Sequence, residues 1–310
     1  MSPKLLTIFS ATGQQGHSIL TTIHAHPTLT KEYTLRAISR TADSPTALSL
    51  KSKGIEIISA DLNDPETLPA AVASSHTVIL ITCTTYAAPD LKALELNQTK
   101  SVGDACVAAG VKHIIYSSAV SGRESWDGRA VDVFDSKAAA EGYLRSLPIK
   151  VSVFLPGVFM QNFETFMKPT PCPSGDGSWV VSCVVDGAKK LPMVDAAGDM
   201  GAYVVPLLLG EGEGVGKTYA SSGVWSFQEM VEVMGRVSGR KVRYERLDEK
   251  VYAGFMPGTM GPKVVEMFRF YDEVGYYGGD EEGKVKETLR VVEGKVSSFE
   301  EFAGRRLREW

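Results

Sequence analysis

The chain has 310 residues, of which 44% are hydrophobic and 23% are charged, and this composition is typical of a globular protein. Its formal net charge of −4 and its lack of basic runs argue against direct binding to nucleic acid. No apolar stretch is long enough to span a membrane, and the four cysteines lack the paired spacing of a metal site. We therefore expect a cytoplasmic protein without a bound metal, which would also shuttle to the nucleus if its role is regulatory.

The first predicted elements are a strand, a tight glycine turn and a helix. An apolar run at residues 5–9 is followed by the sequence SATGQQG at residues 10–16, which opens a helical stretch. The first turn of a helix has N–H groups without partners and the positive end of the dipole, and Gly13 and Gly16 let a phosphate approach closely. Ser10 stands where this pattern usually has its first glycine. The segment predicts a site for a dinucleotide pyrophosphate.

The end of the second predicted strand, at residues 34–40, favours one dinucleotide over the other. A site for NAD usually has a carboxylate there for the ribose 2′-hydroxyl, whereas this chain has Ser39 and Arg40. A guanidinium suits a 2′-phosphate, so Arg40 predicts NADP(H). The alternative is that Arg40 is only a solvated residue and that Asp43 supports binding of NAD(H).

Strands and helices continue to alternate through the first half of the chain. Further strands are predicted at residues 55–61, 76–82, 111–118 and 150–155, and helices at 65–75, 89–109 and 136–146. The strands are nearly continuous apolar runs, which is typical of a parallel sheet covered on both faces. We predict an α/β fold with a doubly wound parallel Rossmann sheet, in which residues 1–157 form the nucleotide-binding domain.

The second half of the chain has longer loops and cannot continue this alternation. A helix at residues 226–237, a strand at 241–246 and a helix at 263–274 predict a smaller mixed α/β C-terminal lobe at residues 158–310. Part of this region, near 191–225, is expected to return to the Rossmann domain. The acidic turn at 279–283 is interpreted as a solvated loop.

Lys137 lies where a short-chain dehydrogenase would present the lysine of a YxxxK pair. In such a pair the tyrosine donates a proton to the substrate oxygen, and the lysine lowers the pKa of the tyrosine and holds the nicotinamide ribose. The position four residues earlier is Val133, so that proton donor is missing. We predict that Lys137 contacts the ribose; the alternative is a surface lysine paired with Glu141.

The chain resembles the NmrA-like family of atypical short-chain dehydrogenases/reductases. The resemblance covers nearly the whole chain and is carried by ATGQQG at 11–16, SRT at 39–41, FDSK at 134–137, LPGVFMQNF at 155–163 and MFRFY at 267–271. It implies an NADP(H)-binding Rossmann domain, a small C-terminal lobe and the common absence of the tyrosine.

The resemblance also implies which residues form the site. Those assigned to the cofactor are Thr12, Gly13, Gln14, Gln15 and Gly16 at the pyrophosphate, Arg40 at the 2′-phosphate, Asp61 and Leu62 at the adenine, and Thr82, Thr84, Tyr86, Lys137, Pro156, Gly157, Val158 and Phe159 at the ribose and nicotinamide. Those assigned to the substrate are Tyr86, Asn162 and Phe163. Lys137 and Ser118 are the candidate catalytic residues, although the Ser118 hydroxyl could equally satisfy a local backbone group.

Two classes of function remain open. The protein could be an oxidoreductase on a small organic substrate, with an apolar pocket from residues 159–200 that includes Trp179. Without the tyrosine, an iminium or a conjugated acceptor suits it better than a ketone. Alternatively, it could be a non-catalytic NADP(H) redox sensor that regulates a protein partner. The expected partners are therefore a small-molecule substrate or a regulated protein, and the chain could form a homodimer.

Overall fold

The predicted alternation of strands and helices forms a seven-stranded parallel sheet in the computed structural model, which describes residues 2–210 and 217–309. The strands are, in chain order, β1 (Lys4–Ile8), β2 (Tyr33–Ser39), β3 (Glu56–Ser59), β4 (Thr77–Leu80), β5 (His113–Ser117), β6 (Lys150–Pro156), β7 (Val158–Phe159), β8 (Thr170–Pro171), β9 (Trp179–Cys183), β10 (Lys190–Val194), β11 (Thr218–Ala220), β12 (Gly223–Ser226) and β13 (Val242–Arg246). The helices are α1 (Gln14–Ala25), α2 (Leu29–Glu32), α3 (Pro45–Ser52), α4 (Leu68–Val72), α5 (Leu91–Ala108), α6 (Gly122–Ser125), α7 (Asp132–Ser146), α8 (Met200–Leu209), α9 (Phe227–Ser238), α10 (Glu249–Gly254), α11 (Met260–Glu273), α12 (Glu281–Leu289) and α13 (Phe299–Arg306). Short 3₁₀ helices lie at Pro65–Thr67 and Met160–Glu164.

The order of the strands places the expected ligand site. The sheet runs β3-β2-β1-β4-β5-β6-β11, and its neighbouring strands are parallel. The chain builds outward from β1 to β3 and then returns to the other side of β1, so Ile8 lies between Ala37 and Ile79. In doubly wound sheets, ligands bind beyond the carboxyl ends of the strands at this reversal. The predicted fold class is confirmed.

Both faces of the large sheet are buried, which explains the continuous apolar runs of its strands. Along β4, Val78 and Leu80 belong to a hydrophobic cluster that also contains residues of α4, α5 and α7. Ile79, between them, belongs to a second cluster with residues of α1 and α8. Since α7 begins at Asp132, four residues before the predicted start, Val133 lies in its first turn.

The chain returns to the large sheet after its first excursion into the smaller lobe. Helix α8 packs against α1, and β11 pairs with β6 as the seventh strand, with Thr218 opposite Phe154. The sequence predicted only six strands for this sheet. Strand β11 has three residues, which are too few for a periodic pattern.

The smaller lobe contains two three-stranded sheets, in the orders β12-β10-β7 and β13-β9-β8. Helix α9 packs against β13, and α13 packs against α9. The acidic turn at 279–283 was interpreted as a solvated loop, which is right for the exposed Asp280, Glu282 and Gly283 but wrong for Glu281. Glu281 begins α12, and its carboxylate accepts hydrogen bonds from the backbone N–H groups of Tyr277 and Gly279, which precede the helix. Within residues 2–210 and 217–309, no helix combines the length and apolarity needed to cross a membrane, and no acidic, His or Cys cluster is placed to hold a metal.

Candidate functional site

A cleft of about 490 Å³ opens at the carboxyl ends of the central strands, between the large sheet and the smaller lobe. Most of the predicted site residues line it. They are Gly13, Gln14, Gln15, Gly16, Thr82, Thr84, Tyr86, Ser118, Lys137, Pro156, Gly157, Val158, Phe159 and Asn162. Thr12, Arg40, Asp61, Leu62 and Phe163 are not among the lining residues.

The glycine turn lies at one end of the cleft and is held by its own backbone. Gly13 caps α1 without any side-chain hydrogen bond, so the first-turn N–H groups remain available to an anion. Ser10 adopts a left-handed conformation, with φ of +54°, and its hydroxyl donates to the carbonyl of Ile81 at 2.8 Å. A Cβ on Gly16 would lie 2.3 Å from the Ser10 oxygen. The turn therefore tolerates serine at its first position and requires glycine at its last.

Arg40 follows the strand next to this turn. The hydroxyl oxygens of Thr12, in the glycine turn, and Ser39, at the end of β2, are 3.5 Å apart. Arg40 is therefore the next residue after one that contacts the turn. Its side chain is exposed and forms no ion pair with the residues that the structure describes. Asp61 instead orders its own loop, since its carboxylate accepts hydrogen bonds from the backbone and side-chain nitrogens of Asn63. Arg40 thus lies at the carboxyl end of β2, next to the glycine turn and outside the enclosed cleft.

Lys137 forms a buried ion pair with Glu95 of α5, which the sequence analysis did not identify. The Lys137 and Glu95 side chains are 18% and 3% exposed. The same carboxylate accepts hydrogen bonds from Ser136, at 2.6 Å, and from Thr82. The alternative pairing of Lys137 with Glu141 is wrong, because Glu141 is bound by Ser118, Arg145 and Lys217.

The partners of this pair hold each other in the charged state. Burial alone would raise the pKa of Glu95, but the Lys137 ammonium and the hydroxyl hydrogen bonds outweigh it and lower that pKa. Burial would lower the pKa of Lys137, and the Glu95 carboxylate reverses this effect and raises it. The ammonium also donates to Thr82 at 3.1 Å. The cleft is therefore lined by the fixed Lys137 ammonium, whose charge is neutralised by Glu95, a residue that does not line the cleft.

Ser117 is the last residue of β5 and Ser118 follows it, and both hydroxyls already donate a hydrogen bond. Ser118 donates to the buried carboxylate of Glu141 at 2.7 Å, so its hydroxyl can only accept a hydrogen bond from a ligand. Ser117 donates to the side-chain oxygen of Gln15 at 3.0 Å and thereby orients a residue of the glycine turn. Neither hydroxyl can replace the missing proton donor without breaking a hydrogen bond.

One wall of the cleft is aromatic; the predicted Tyr86 and Phe159 line it, but most of its rings come from residues that the sequence analysis did not assign. Phe134 of α7 packs against Tyr271 and Tyr276, with ring centroids 5.9 and 5.2 Å apart. Phe163, predicted at the substrate, is 1% exposed and packs in the core against Phe299, 5.3 Å away. The chain turns there, so Asn162 lines the cleft and its neighbour points inward to the core.

Trp179, which was expected in this pocket, is not among the lining residues; it lies in β9 with the guanidinium of Arg240 over its ring. Val133, at the position of the missing tyrosine, does line the cleft. The aromatic side chains that line it with Phe134, Tyr271 and Tyr276 are Tyr86, Phe159, Phe166, Phe227 and Phe268.

Comparisons with known proteins agree with this architecture. The NmrA-like oxidoreductase ptmS of Penicillium ochrochloron is 28% identical over 294 residues, which are 90% of this chain and 87% of ptmS. The crystal structure of NmrA, a negative transcriptional regulator in complex with NADP, has a TM-score of 0.80 at 19% identity, covering 99% of this chain and 96% of NmrA. Triphenylmethane reductase of Citrobacter sp., complexed with NADP(H), has a TM-score of 0.75 at 20% identity, covering 97% of this chain and 99% of the reductase.

The two structural likenesses show a shared fold, and the sequence relationship is more specific. The sequence profile of the NmrA-like family matches residues 2–303, which is nearly the whole chain. The protein therefore belongs to the NmrA-like family, and several of its relatives there are named as oxidoreductases.

Proposed function

We propose that the protein is an NADP(H)-dependent oxidoreductase that acts on a small organic substrate. The observation that carries the proposal is the cleft itself, which has the glycine turn at one end and Lys137 beside an aromatic wall at the other. A dinucleotide bound along the strand ends would place its phosphates on the turn and its nicotinamide near Lys137. When bound, it would supply the hydride.

The residues present fit a dinucleotide. The uncapped start of α1 offers backbone N–H donors to a pyrophosphate, and Gly16 leaves no side chain between helix and turn. Lys137 can donate to the ribose hydroxyls, because an ammonium has three donors and only two of them are used by Glu95 and Thr82. Phe134 and Tyr271 would exclude water from the reacting end of the cleft.

NADP(H) is favoured over NAD(H) because of Arg40. An exposed guanidinium without an ion-pair partner among the described residues can bind a 2′-phosphate without giving up another contact. NmrA has been crystallised with NADP and also with NAD, so the fold alone does not select between them.

Titration calorimetry with NADPH and NADH tests the proposal. We expect wild type to bind NADPH more tightly, and Arg40→Ala to lose about 1.5–3 kcal/mol of binding free energy for NADPH, roughly a 10- to 150-fold loss of affinity. Its NADH affinity should not change. Arg308→Ala, at an exposed arginine far along the chain, is the matched control. Equal affinities in wild type would contradict the preference for NADP(H), and failure to bind either dinucleotide would overturn the function.

A second candidate function is a non-catalytic NADP(H) sensor that regulates a protein partner. It is favoured by Val133, a cleft residue that cannot donate a proton where a dehydrogenase would have tyrosine. A sensor requires the dinucleotide to bind two conformations or assemblies with different affinity. Nucleotide-dependent change in assembly by light scattering, together with no NADPH consumption across a panel of uncharged ketones, imines and conjugated acceptors, would select the sensor.

A further inference from the structure

The cleft contains phenol groups that come from other elements than the one that lacks its tyrosine. Tyr86 follows β4, Tyr271 belongs to α11 and Tyr276 follows α11, and all three line the cleft. In the described part of the chain, none of their hydroxyls has a hydrogen-bond partner. A phenol that is partly buried and unbonded in a cleft is available to a ligand.

We propose that Tyr86 is the proton donor of this site and replaces, from the loop after β4, the tyrosine that position 133 lacks. The proposal rests on the proposed function. It assigns to the substrate an oxygen or nitrogen acceptor, placed between the Tyr86 hydroxyl and Lys137.

Charge distinguishes Tyr86 from the other two phenols. Burial raises the pKa of Tyr86, and the strongest opposing influence is the Lys137 ammonium. For Tyr271 and Tyr276, burial also raises the pKa, but the next influence in each case is another tyrosine. All three phenols are therefore protonated at neutral pH, and Tyr86 is the one of the three whose anion the Lys137 ammonium would stabilise most directly.

Hydrogen bonds hold the loop that carries Tyr86 against the smaller lobe. Lys263 of α11 donates to the backbone carbonyls of Tyr86 and Ala88, at 3.3 and 2.9 Å. The same helix supplies Phe268 and Tyr271 to the aromatic wall. Tyr86 thus has a position set by the lobe, and Lys263 acts as a positioning residue.

With a ketone or imine as substrate, Tyr86 would supply the proton that accompanies hydride addition. Hydride from the reduced dinucleotide adds to the carbon of the C=O or C=N group, so the substrate is reduced and the dinucleotide is oxidised. The π electrons move to the oxygen or nitrogen, which forms a bond to the Tyr86 proton as the phenol O–H bond breaks. The phenolate remains beside Lys137 and regains a proton from water.

The lining of the cleft also selects the substrate class. Lys137 is the only charged side chain among the described lining residues, and the Glu95 carboxylate neutralises its charge. A carboxylate or phosphate on the substrate would find no unbalanced cation, and it would lie against aromatic rings at a desolvation cost. The substrate is therefore an aryl ketone or imine without an anionic group.

Benzophenone is a suitable probe, and 4-benzoylbenzoate is its charged counterpart. Binding to the protein saturated with NADP+ is measured by equilibrium dialysis. We expect Tyr86→Phe to weaken benzophenone binding about tenfold, which is about 1.4 kcal/mol, and Tyr271→Phe, the matched control, to weaken it less than threefold. Wild type should bind 4-benzoylbenzoate more weakly than benzophenone. Benzophenone reduction by NADPH should fall at least 100-fold in Tyr86→Phe.

Each contrary result would overturn a different part of the proposal. Equal benzophenone affinity in wild type and Tyr86→Phe would overturn the role of Tyr86, as would a larger loss in Tyr271→Phe or Tyr276→Phe. No binding of benzophenone by a protein that binds NADPH would overturn the substrate class and Tyr86 together. No binding of NADPH would overturn the proposed function instead. If Tyr86→Phe fails to fold, Lys263→Met tests the same arrangement, and Lys263→Arg should restore benzophenone binding.

Discussion

Replacing Lys137 with methionine removes the cation from a buried ion pair and leaves its carboxylate in place. Glu95, with a side chain 3% exposed, would keep only the hydrogen bonds from Ser136 and Thr82. Breaking a buried pair by removing one partner costs about 3–5 kcal/mol. We expect Lys137→Met to lower the free energy of unfolding at pH 7 by about this amount. Lys51→Met, at an exposed lysine of α3, should stay within about 0.5 kcal/mol of wild type.

The loss of stability in Lys137→Met depends on pH, and the pKa of Glu95 in each protein determines the direction of that dependence. In wild type the pKa of Glu95 is lowered, so its stabilising contribution is present above its ordinary pKa of 4.5 and is lost as pH falls through the native value. In Lys137→Met, burial without the cation would raise the pKa of Glu95, so its charge destabilises the folded state above the ordinary value. The stability difference between the two proteins should therefore shrink as pH falls from 7 towards 4.

Urea unfolding followed by circular dichroism at several pH values measures these differences. Glu95→Gln combined with Lys137→Met removes the unpaired charge, so the double variant should be more stable at pH 7 than Lys137→Met alone. If Lys137→Met matched Lys51→Met at pH 7, or if its penalty did not shrink on acidification, the reasoning from a buried ion pair would be refuted.

Three further changes test the glycine turn and the loop that carries Tyr86. Gly16→Ala places a Cβ 2.3 Å from the Ser10 oxygen, so we expect it to lower the free energy of unfolding by about 1–3 kcal/mol. Gly142→Ala, whose Cβ would have nothing within 4 Å, is the control and should raise it by up to about 1 kcal/mol. Equal melting temperatures for the two variants would contradict the close approach at Gly16. Ser10→Ala loses the hydrogen bond to Ile81 and should cost about 1 kcal/mol in urea unfolding, while Ser10→Gly, which relieves the left-handed backbone, should cost less. Lys263→Met should speed proteolysis of the loop after β4 and Lys263→Arg should not; equal cleavage rates would show that the two hydrogen bonds do not hold the loop.

The large sheet was predictable because its signals are local. The first six strands are apolar runs bounded by turns, and the glycine turn follows the first of them directly. Strand β11 was not predictable as a strand, since its three residues acquire their conformation by pairing with β6. The start of α7 was placed late because Asp132 and Val133 precede the strongest helix formers of that segment.

The site was predictable where a motif carries it and not where tertiary packing does. Glu95 could have been found, because it shares a helical stripe with Leu91, Val102 and Cys106, and a carboxylate on a buried stripe needs a cation. The partner Lys137 could not be chosen from sequence, since the nearer Glu141 has the right helical spacing for a pair. Phe163 and Phe166 look alike in sequence, and only packing decides that Phe163 is in the core while Phe166 is 62% exposed at the cleft.

The late arrival of β11 has a consequence for the protein as it emerges from the ribosome. Strand β6 is complete at Pro156, yet the strand that covers its outer edge begins at Thr218. At about 5–20 residues per second, translation of the intervening segment takes several seconds. During that time β6 exposes unpaired backbone groups beside the buried side chains Phe154 and Leu155, which is a template for pairing with another nascent chain. Synthesis at high density should therefore favour aggregation through this edge, and a chaperone that holds the first half of the chain would protect it.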